Sequence, residues 1–408
     1  MGNWLKEKFK SDDKEKFTAT AFLLLIFSMF FGMFFHVADV GAEFINAYRA
    51  NAHAGASLIE RFSAATAAAE PAASAGVPGR PQYIEVFGLA QLAMGKRIVA
   101  DPNYGALYKT PSGQLAYAVE EKYLGGYLDN LYEMVNWLRL EEIPFLYVQA
   151  PFKLRDAHSQ LPPTVADYSN SDADRFIESL AAASVTCFDL RPLLYDSGMT
   201  QEEMFYGTDH HWTIDAAFFS AGKIAEKLNE DYGFKIDKQY FDVKNYNRKT
   251  YEKSFVGSLG RRVGRIYGGI DDFTLITPKF ETSLALSENG VALPGGSFED
   301  AVLDMECVDE KAKAETNRYA VYRKDRGEVV FENHLAHSGK ILIVKDSFGI
   351  PVYTFLALGV QEVRALDVRL FDGDVSEYAK EHRPDVVILL YNPDCFNGQM
   401  FDFKGGQH

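Results

Sequence analysis

Cysteine is scarce in this chain, with three in 408 residues: Cys187, Cys307 and Cys395. An odd number without CxxC spacing excludes a disulfide framework and a paired-cysteine zinc site, leaving room for one bridge at most. Buried small hydrophobes are the plain reading of all three. Basic charge is also short. Lys and Arg number 42 against 57 Asp and Glu, for a net charge of −15. No basic face is on offer to neutralise phosphates, which excludes nucleic acid as a partner. The same deficit predicts weak attraction of the main body to anionic lipid headgroups. Internal repeats are absent, and no motif calls for a cofactor. Charge of either sign is missing from FTATAFLLLIFSMFFGMFFHV, residues 17–37.

That uncharged stretch is long enough, at ~1.5 Å per helical residue, to cross the ~30 Å hydrocarbon core of a bilayer. Its apolar residues run all round, unlike a one-faced core helix. A cleaved signal peptide is the rival, since Val40-Gly41-Ala42 resembles a small-residue cleavage site, but the usual apolar region of such peptides is only ~7–15 residues. Five lysines precede the span, and Asp39 and Glu43 follow it. This asymmetry predicts a cytoplasmic tail over 1–16, an anchor over 17–37, and everything beyond it outside the cytoplasm. Residues 38–82 are Ala-rich and close on PAASAGVPGRPQ, which reads as a helical stalk and linker below a catalytic domain spanning 83–408.

The composition, 47% hydrophobic and 14% aromatic, is globular. From Tyr83 onward the hydrophobic period alternates. EKYLGGYLDNLYEMVNWLRL (121–140) has helical spacing, IPFLYVQAP reads as a strand, SDADRFIESLAAA as a helix and VTCFDL as a strand. The C-terminal part repeats the pattern: KILIVKD, SFGIPVYTFLALG, EVRALDV, SEYAKEHR and DVVILLYN. Short apolar strands between helices predict an α/β fold, with a parallel sheet covered by helices on both faces. Residues about 240–333 are aromatic, Gly-rich and charged, and read as an insertion of hairpins and loops.

Ligands of a parallel α/β sheet gather at the carboxyl ends of its strands, where three polar positions fall. Ser347 follows KILIVKD and opens a helix, so its hydroxyl would lie beside backbone N–H groups, as at a nucleophile elbow. The bland alternative is that Ser347 or Asp346 caps the helix. Asn392 ends DVVILLYN ahead of Pro393, and is either an oxyanion donor or the head of an Asx-turn. YGTDHHWTIDAAFF (206–219) sets two of nine histidines side by side. In an extended segment Asp209 and His211 would share a face and His210 would point away. Asp209 could then fix the tautomer of His211 as a base, with Thr213 capping the next helix. Three metal ligands at Asp209, His210 and His211 are disfavoured, because adjacent histidines point apart and no fourth ligand is suggested. Arg261, Arg262 and Arg265 with Tyr267 form a basic loop that either holds a sugar polymer or is simply solvated.

Together TDHHW, KDSF and ILLYN, with SFVGSLGRRVG, DDFTLITPKF and the DVRLF segment, resemble the DHHW proteins. These are similar to the SGNH-like domains of alginate O-acetyltransferase accessory proteins. The resemblance implies an SGNH-hydrolase-like, flavodoxin-like domain in which Ser347 is nucleophile, His211 base and Asp209 its orienting carboxylate. Asn392 matches the oxyanion asparagine by its place at a strand end, while the flanking YNPD departs from the usual Gly-x-Asn-Asp. The implied activity is O-acyl transfer, outside the membrane, to hydroxyls of a cell-surface polysaccharide or glycopolymer. The implied partner is a multi-spanning membrane O-acyltransferase that supplies the acyl group. An esterase using water as acceptor, and a catalytically silent polymer-binding scaffold, are the alternatives.

Overall fold

The computed structural model describes residues 37–53, 57–75, 77, 79–309 and 311–405, with ten scattered positions between 16 and 31. About half of the uncharged stretch 17–37 therefore lies outside the described residues. Among the described residues no helix is long and apolar enough to cross a membrane. The chain divides into two compact units, Met1–Val86 and Phe87–His408.

In the first unit, α1 (Val37–His53) and α2 (Leu58–Ala75) pack on each other. Phe44 meets Phe62 edge-on at 5.6 Å, and the Arg61 guanidinium sits 5.4 Å from the Tyr48 ring.

The second unit opens with a small antiparallel sheet of β1 (Ile98–Asp101), β2 (Gly105–Lys109) and β3 (Leu115–Ala116). Then follow α3 (Gly125–Leu140), β4 (Phe145–Gln149), α4 (Ser169–Ala182), β5 (Cys187–Asp189) and α5 (Ile214–Asp231). A two-stranded ribbon comes next, β6 (Tyr246–Phe255) with β7 (Asp271–Pro278), and after it β8 (Leu284–Glu288) and β9 (Val291–Gly296). The chain closes with β10 (Glu328–Asn333), β11 (Lys340–Lys345), α6 (Gly349–Leu356), β12 (Glu362–Leu366), α7 (Val375–His382) and β13 (Val386–Tyr391).

The main sheet has eight strands in the order β5-β4-β13-β11-β12-β10-β8-β9. Strands β5, β4, β13, β11 and β12 are parallel, as the alternation of short apolar runs and helices predicts. From β12 outward the pairing turns antiparallel, so the sheet is mixed and not wholly parallel. The reason lies in the stretch read as an insertion. Strands β8 and β9 make a tight hairpin through Asn289-Gly290, and β10, reached over residues 297–327, runs antiparallel to both β8 and β12. Of the described strands in that stretch, the β6–β7 ribbon stands apart from the sheet.

Both faces of the parallel half are apolar, so successive residues serve opposite cores. On β13, Val386, Ile388 and Leu390 pack with α5 and α6, while Val387, Leu389 and Tyr391 pack with α3, α4 and α7. Double burial ties β11 and β13 into the middle of the molecule. Their carboxyl ends, at Lys345 and Tyr391, therefore form a fixed platform.

Candidate active site

Strand β11 ends at Lys345, whose buried ammonium donates to Asp325 (2.7 Å) and to the fully buried Asp367 (3.1 Å). The chain then turns sharply. Asp346 Oδ1 accepts the N–H of Phe348 (2.8 Å), and Ser347 is left half-buried at the tip, two residues before α6. Asp346 closes this turn but neither it nor Ser347 caps α6, which leaves the Ser347 hydroxyl for other work.

The DHHW segment is a loop held from several sides. Lys153, 3% exposed, donates to three of the carbonyls of this loop: Tyr206 (2.6 Å), Gly207 (3.1 Å) and Asp209 (2.8 Å). Asp271 at the head of β7 accepts the N–H groups of Gly207 (2.7 Å) and Thr208 (2.8 Å) and the Thr208 hydroxyl (2.5 Å). Burial lowers the Lys153 ammonium to about 8, against the opposing pull of Asp271 and Asp209. Strand β3 adds a backbone bond, Leu115 N–H to the Gly207 carbonyl (2.8 Å). Thr213 closes the segment by capping α5 through the Ala216 N–H, as its position predicts.

These clamps bring Asp209, His211 and Ser347 into one line. His211 Nδ1 lies 2.6 Å from Asp209 Oδ1, and His211 Nε2 lies 2.7 Å from Ser347 Oγ. Asp209, 2% exposed, accepts further from the N–H groups of His211 (3.0 Å) and Ser258 (2.6 Å). Burial alone would raise its pKa. Electrostatic interaction with the His211 and His210 rings and the hydrogen bonds from His211 outweigh that and hold the carboxylate well below its ordinary range. An ionised Asp209 selects the tautomer with the proton on Nδ1, which leaves Nε2 as acceptor for the Ser347 hydroxyl. The His211 ring lies flat on Tyr319, with centroids 4.2 Å apart, and Trp212 Nε1 donates to the Tyr319 hydroxyl and the Phe348 carbonyl.

Strict alternation would turn His210 away, and the structure does not. Asp209 Oδ1 takes the His211 N–H two residues on, so the segment is an Asx-turn and not a strand. His210 consequently lies against His211, with ring centroids 3.8 Å apart and planes tilted by 36°, and contacts the Ser258 hydroxyl through Nδ1 (2.8 Å). Burial first, then the electrostatic influence of the adjacent His211, drives the His210 pKa down to about 3. Asp209, His210 and His211 also offer three ligand atoms within 4.8 Å of one another, the geometry that a three-ligand metal reading would require. Asp209 Oδ1 and His211 Nδ1 are already engaged with each other.

Asn392 has a different task from the oxyanion donor its strand-end position suggested. Its N–H (2.7 Å) and its Nδ2 (2.7 Å) both go to Asp346 Oδ2, its Nδ2 also reaches Cys395 Sγ at 3.4 Å, and its Oδ1 heads an Asx-turn at Asp394. Asn392 thus fixes the turn that carries Ser347. The basic loop is also engaged internally. Arg261 donates to the Glu315 carbonyl, Arg262 pairs with Asp101 (3.1 Å), and Tyr267 is buried with its hydroxyl on the Lys96 carbonyl. Cys187, Cys307 and Cys395 are free thiols.

The parts that sequence reasoning missed are the supports: Lys153, Asp271, Gly257 with Ser258, and Tyr319. Two left a signal. Gly257 stands in SFVGSLG, where a Cβ would fall 2.3 Å from Asp209 Oδ2, so only glycine lets Ser258 reach that carboxylate. Asp271 opens DDFTLITPKF. Lys153 and Tyr319 carry no local pattern.

The model of the family described as the SGNH hydrolase-like domain of acetyltransferase AlgX matches residues 113–268. The structure of Bacillus cereus PatB1 superposes with a TM-score of 0.61 at 23% identity, over 75% of this chain and 99% of that one. The same protein with a sulfonyl adduct gives 0.59 at 21% identity, over 75% and 99%. A DHHW family protein from Eubacterium siraeum gives 0.59 at 17% identity, over 76% of this chain and 99% of that one. No curated protein sequence matches. The fold is an SGNH-like α/β fold, and the resemblance to DHHW and AlgX-type domains read from the motifs holds.

Proposed function

We propose that this chain is an O-acyltransferase that works through an acyl-Ser347 intermediate and passes the acyl group to a hydroxyl of a polysaccharide or glycopolymer. The observation that carries this reading is the unbroken line Asp209–His211–Ser347, with bonds of 2.6 Å and 2.7 Å at the carboxyl edge of a doubly buried sheet. The SGNH-like fold supports it, as does the sulfonyl adduct recorded for Bacillus cereus PatB1.

In the first half-reaction Ser347 Oγ attacks the acyl carbonyl while its proton moves to His211 Nε2. Asp209 stabilises the imidazolium that results. The Ser347 N–H has no acceptor among the described residues and is free for the tetrahedral oxyanion. The C–O bond to the donor breaks, and the leaving group takes the proton from His211. In the second half-reaction a sugar hydroxyl gives its proton to His211 Nε2 and attacks the acyl-Ser347 ester. Ser347 Oγ departs and recovers that proton.

The acyl group is taken from a donor supplied across the membrane by a multi-spanning O-acyltransferase, and acetyl is the simplest group that fits. Residues 17–37 anchor the chain with residues 1–16 in the cytoplasm, and the second unit acts outside. Product analysis with an activated acetyl ester, with and without a glycan acceptor, tests the transfer. Acetylated glycan, at the expense of free acetate, is expected. Free acetate at the same rate whether or not the acceptor is present would make the protein an esterase.

A further inference from the structure

A cavity of about 740 Å³ that the acyl-transfer steps do not use has Asp394, two residues beyond Asn392, in its wall. Tyr104, Tyr108 and Tyr117 line it together with Glu120, Lys122 and Asp394. A short chain of bonds joins it to the nucleophile. Tyr117 donates its hydroxyl to Asp394 Oδ2 (2.7 Å), the Asp394 N–H goes to Asn392 Oδ1 (2.8 Å), and Asn392 holds Asp346, the neighbour of Ser347.

The aromatic wall is built in advance of any ligand. Tyr104 sits between the Arg262 guanidinium, 5.0 Å from its centroid, and Tyr117, whose ring is 4.3 Å away and in turn meets Phe152 edge-on. Strand β2 carries Tyr108 into the same wall, and β3, paired with β2, is bonded to the DHHW loop at Gly207. The phenols of Tyr104 and Tyr108 have no hydrogen-bond partner among the described residues. Asp394 has spent one oxygen on Tyr117, and its other oxygen has no donor among the described residues. Burial raises the Asp394 carboxyl, with the Tyr117 bond and Lys122 pulling it back.

A ligand suited to these walls offers hydroxyl donors to an acceptor carboxylate and an apolar ring face to tyrosines. A pyranose does both. Two carboxylates against one lysine in the lining disfavour a ring that bears its own carboxylate.

We propose that this cavity is the acceptor subsite, that it binds an uncharged pyranose unit of the polymer, and that Asp394 and the phenols of Tyr104 and Tyr108 read its hydroxyls. The proposal rests on the acyl-transfer reading and names its substrate class: a neutral glycan in preference to a polyuronate. Arg262 acts here as a prop for Tyr104, bridging it to Asp101, and does not grip a polyanion.

The test is calorimetric titration of the full chain with cellopentaose, mannopentaose, chitopentaose and a pentauronate, paired with acetyl transfer to the same sugars. At least one neutral pentasaccharide should bind more tightly than the pentauronate. Asp394→Asn, which preserves shape and can keep the Tyr117 bond, should weaken that binding by about tenfold, as should the double variant Tyr104→Phe, Tyr108→Phe. In transfer the loss should fall on the KM for the sugar. Tighter binding of the pentauronate, no binding of any neutral sugar, or unchanged affinity in both variants would overturn the subsite. Wild-type protein that binds the sugar but forms no acyl adduct on Ser347 would overturn the acyl-transfer reading and spare the subsite.

Discussion

His211 and His210 are neighbours in sequence with opposed chemical prospects. His211 stands between a buried carboxylate and a serine hydroxyl, so a proton taken at Nε2 is stabilised through Nδ1. His211→Ala should lower acyl transfer by ~10²–10⁴-fold, measured as the rate of acetyl-glycan formation. His210 touches Ser258 and the face of His211 without reaching the Ser347 hydroxyl, and His210→Ala should retain transfer. Its signature belongs to stability. The folded pKa of about 3 lies below the ordinary 6.5, so between those values the unfolded chain binds a proton that the folded chain refuses. Stability should therefore fall as pH drops from about 6.5 toward 3. The side chain is 23% exposed, which softens the effect. Urea midpoints across that range should slope less in His210→Asn than in wild type. An unchanged slope would place the sensitivity elsewhere.

At the scale of elements, the site is a loop pinned to a strand end by residues from three other segments. Lys153 follows β4, Asp271 opens β7, and Gly257 with Ser258 follows β6. Lys153→Met keeps the volume but strips three carbonyls of their donor, and should cost about 1–3 kcal/mol for each one left dry. The loop should loosen before the sheet does, which amide hydrogen exchange at residues 206–212 can resolve. Gly257→Ala places a methyl 2.3 Å from Asp209 Oδ2 and should cut transfer by displacing that carboxylate, at about 1–3 kcal/mol of strain. Loss of stability with full activity would refute that role.

The same elements explain what could be read in advance. The parallel strands were legible because β4, β11 and β13 carry short unbroken apolar runs and are separated by helices. Asp209, His211 and Ser347 were legible because each sits in a dense polar motif at a strand end or turn. Hairpins were legible in residues about 240–333, but that β8, β9 and β10 extend the main sheet was not, since β8 and β10 carry Ser287, Glu288 and Glu332 on short runs that lack a helical partner. The task of Asn392 was missed because its amide is claimed by Asp346, a contact between two strand ends that neither segment reveals alone.

At the scale of the whole molecule, the proposed topology sets the acidic second unit outside the membrane and the lysine-rich residues 1–16 inside. Protease added to intact cells should remove the body and leave residues 1–16 protected; digestion of the body only after lysis would reverse the orientation. The central claim remains that Ser347 carries the acyl group, and the most direct test is mass mapping of the full chain after exposure to an activated acetyl ester. A single acetyl on Ser347 is predicted in wild type, absent in Ser347→Ala and His211→Ala and present in His210→Ala. An acetyl on another residue, or none on Ser347 under conditions where glycan becomes acetylated, would contradict it.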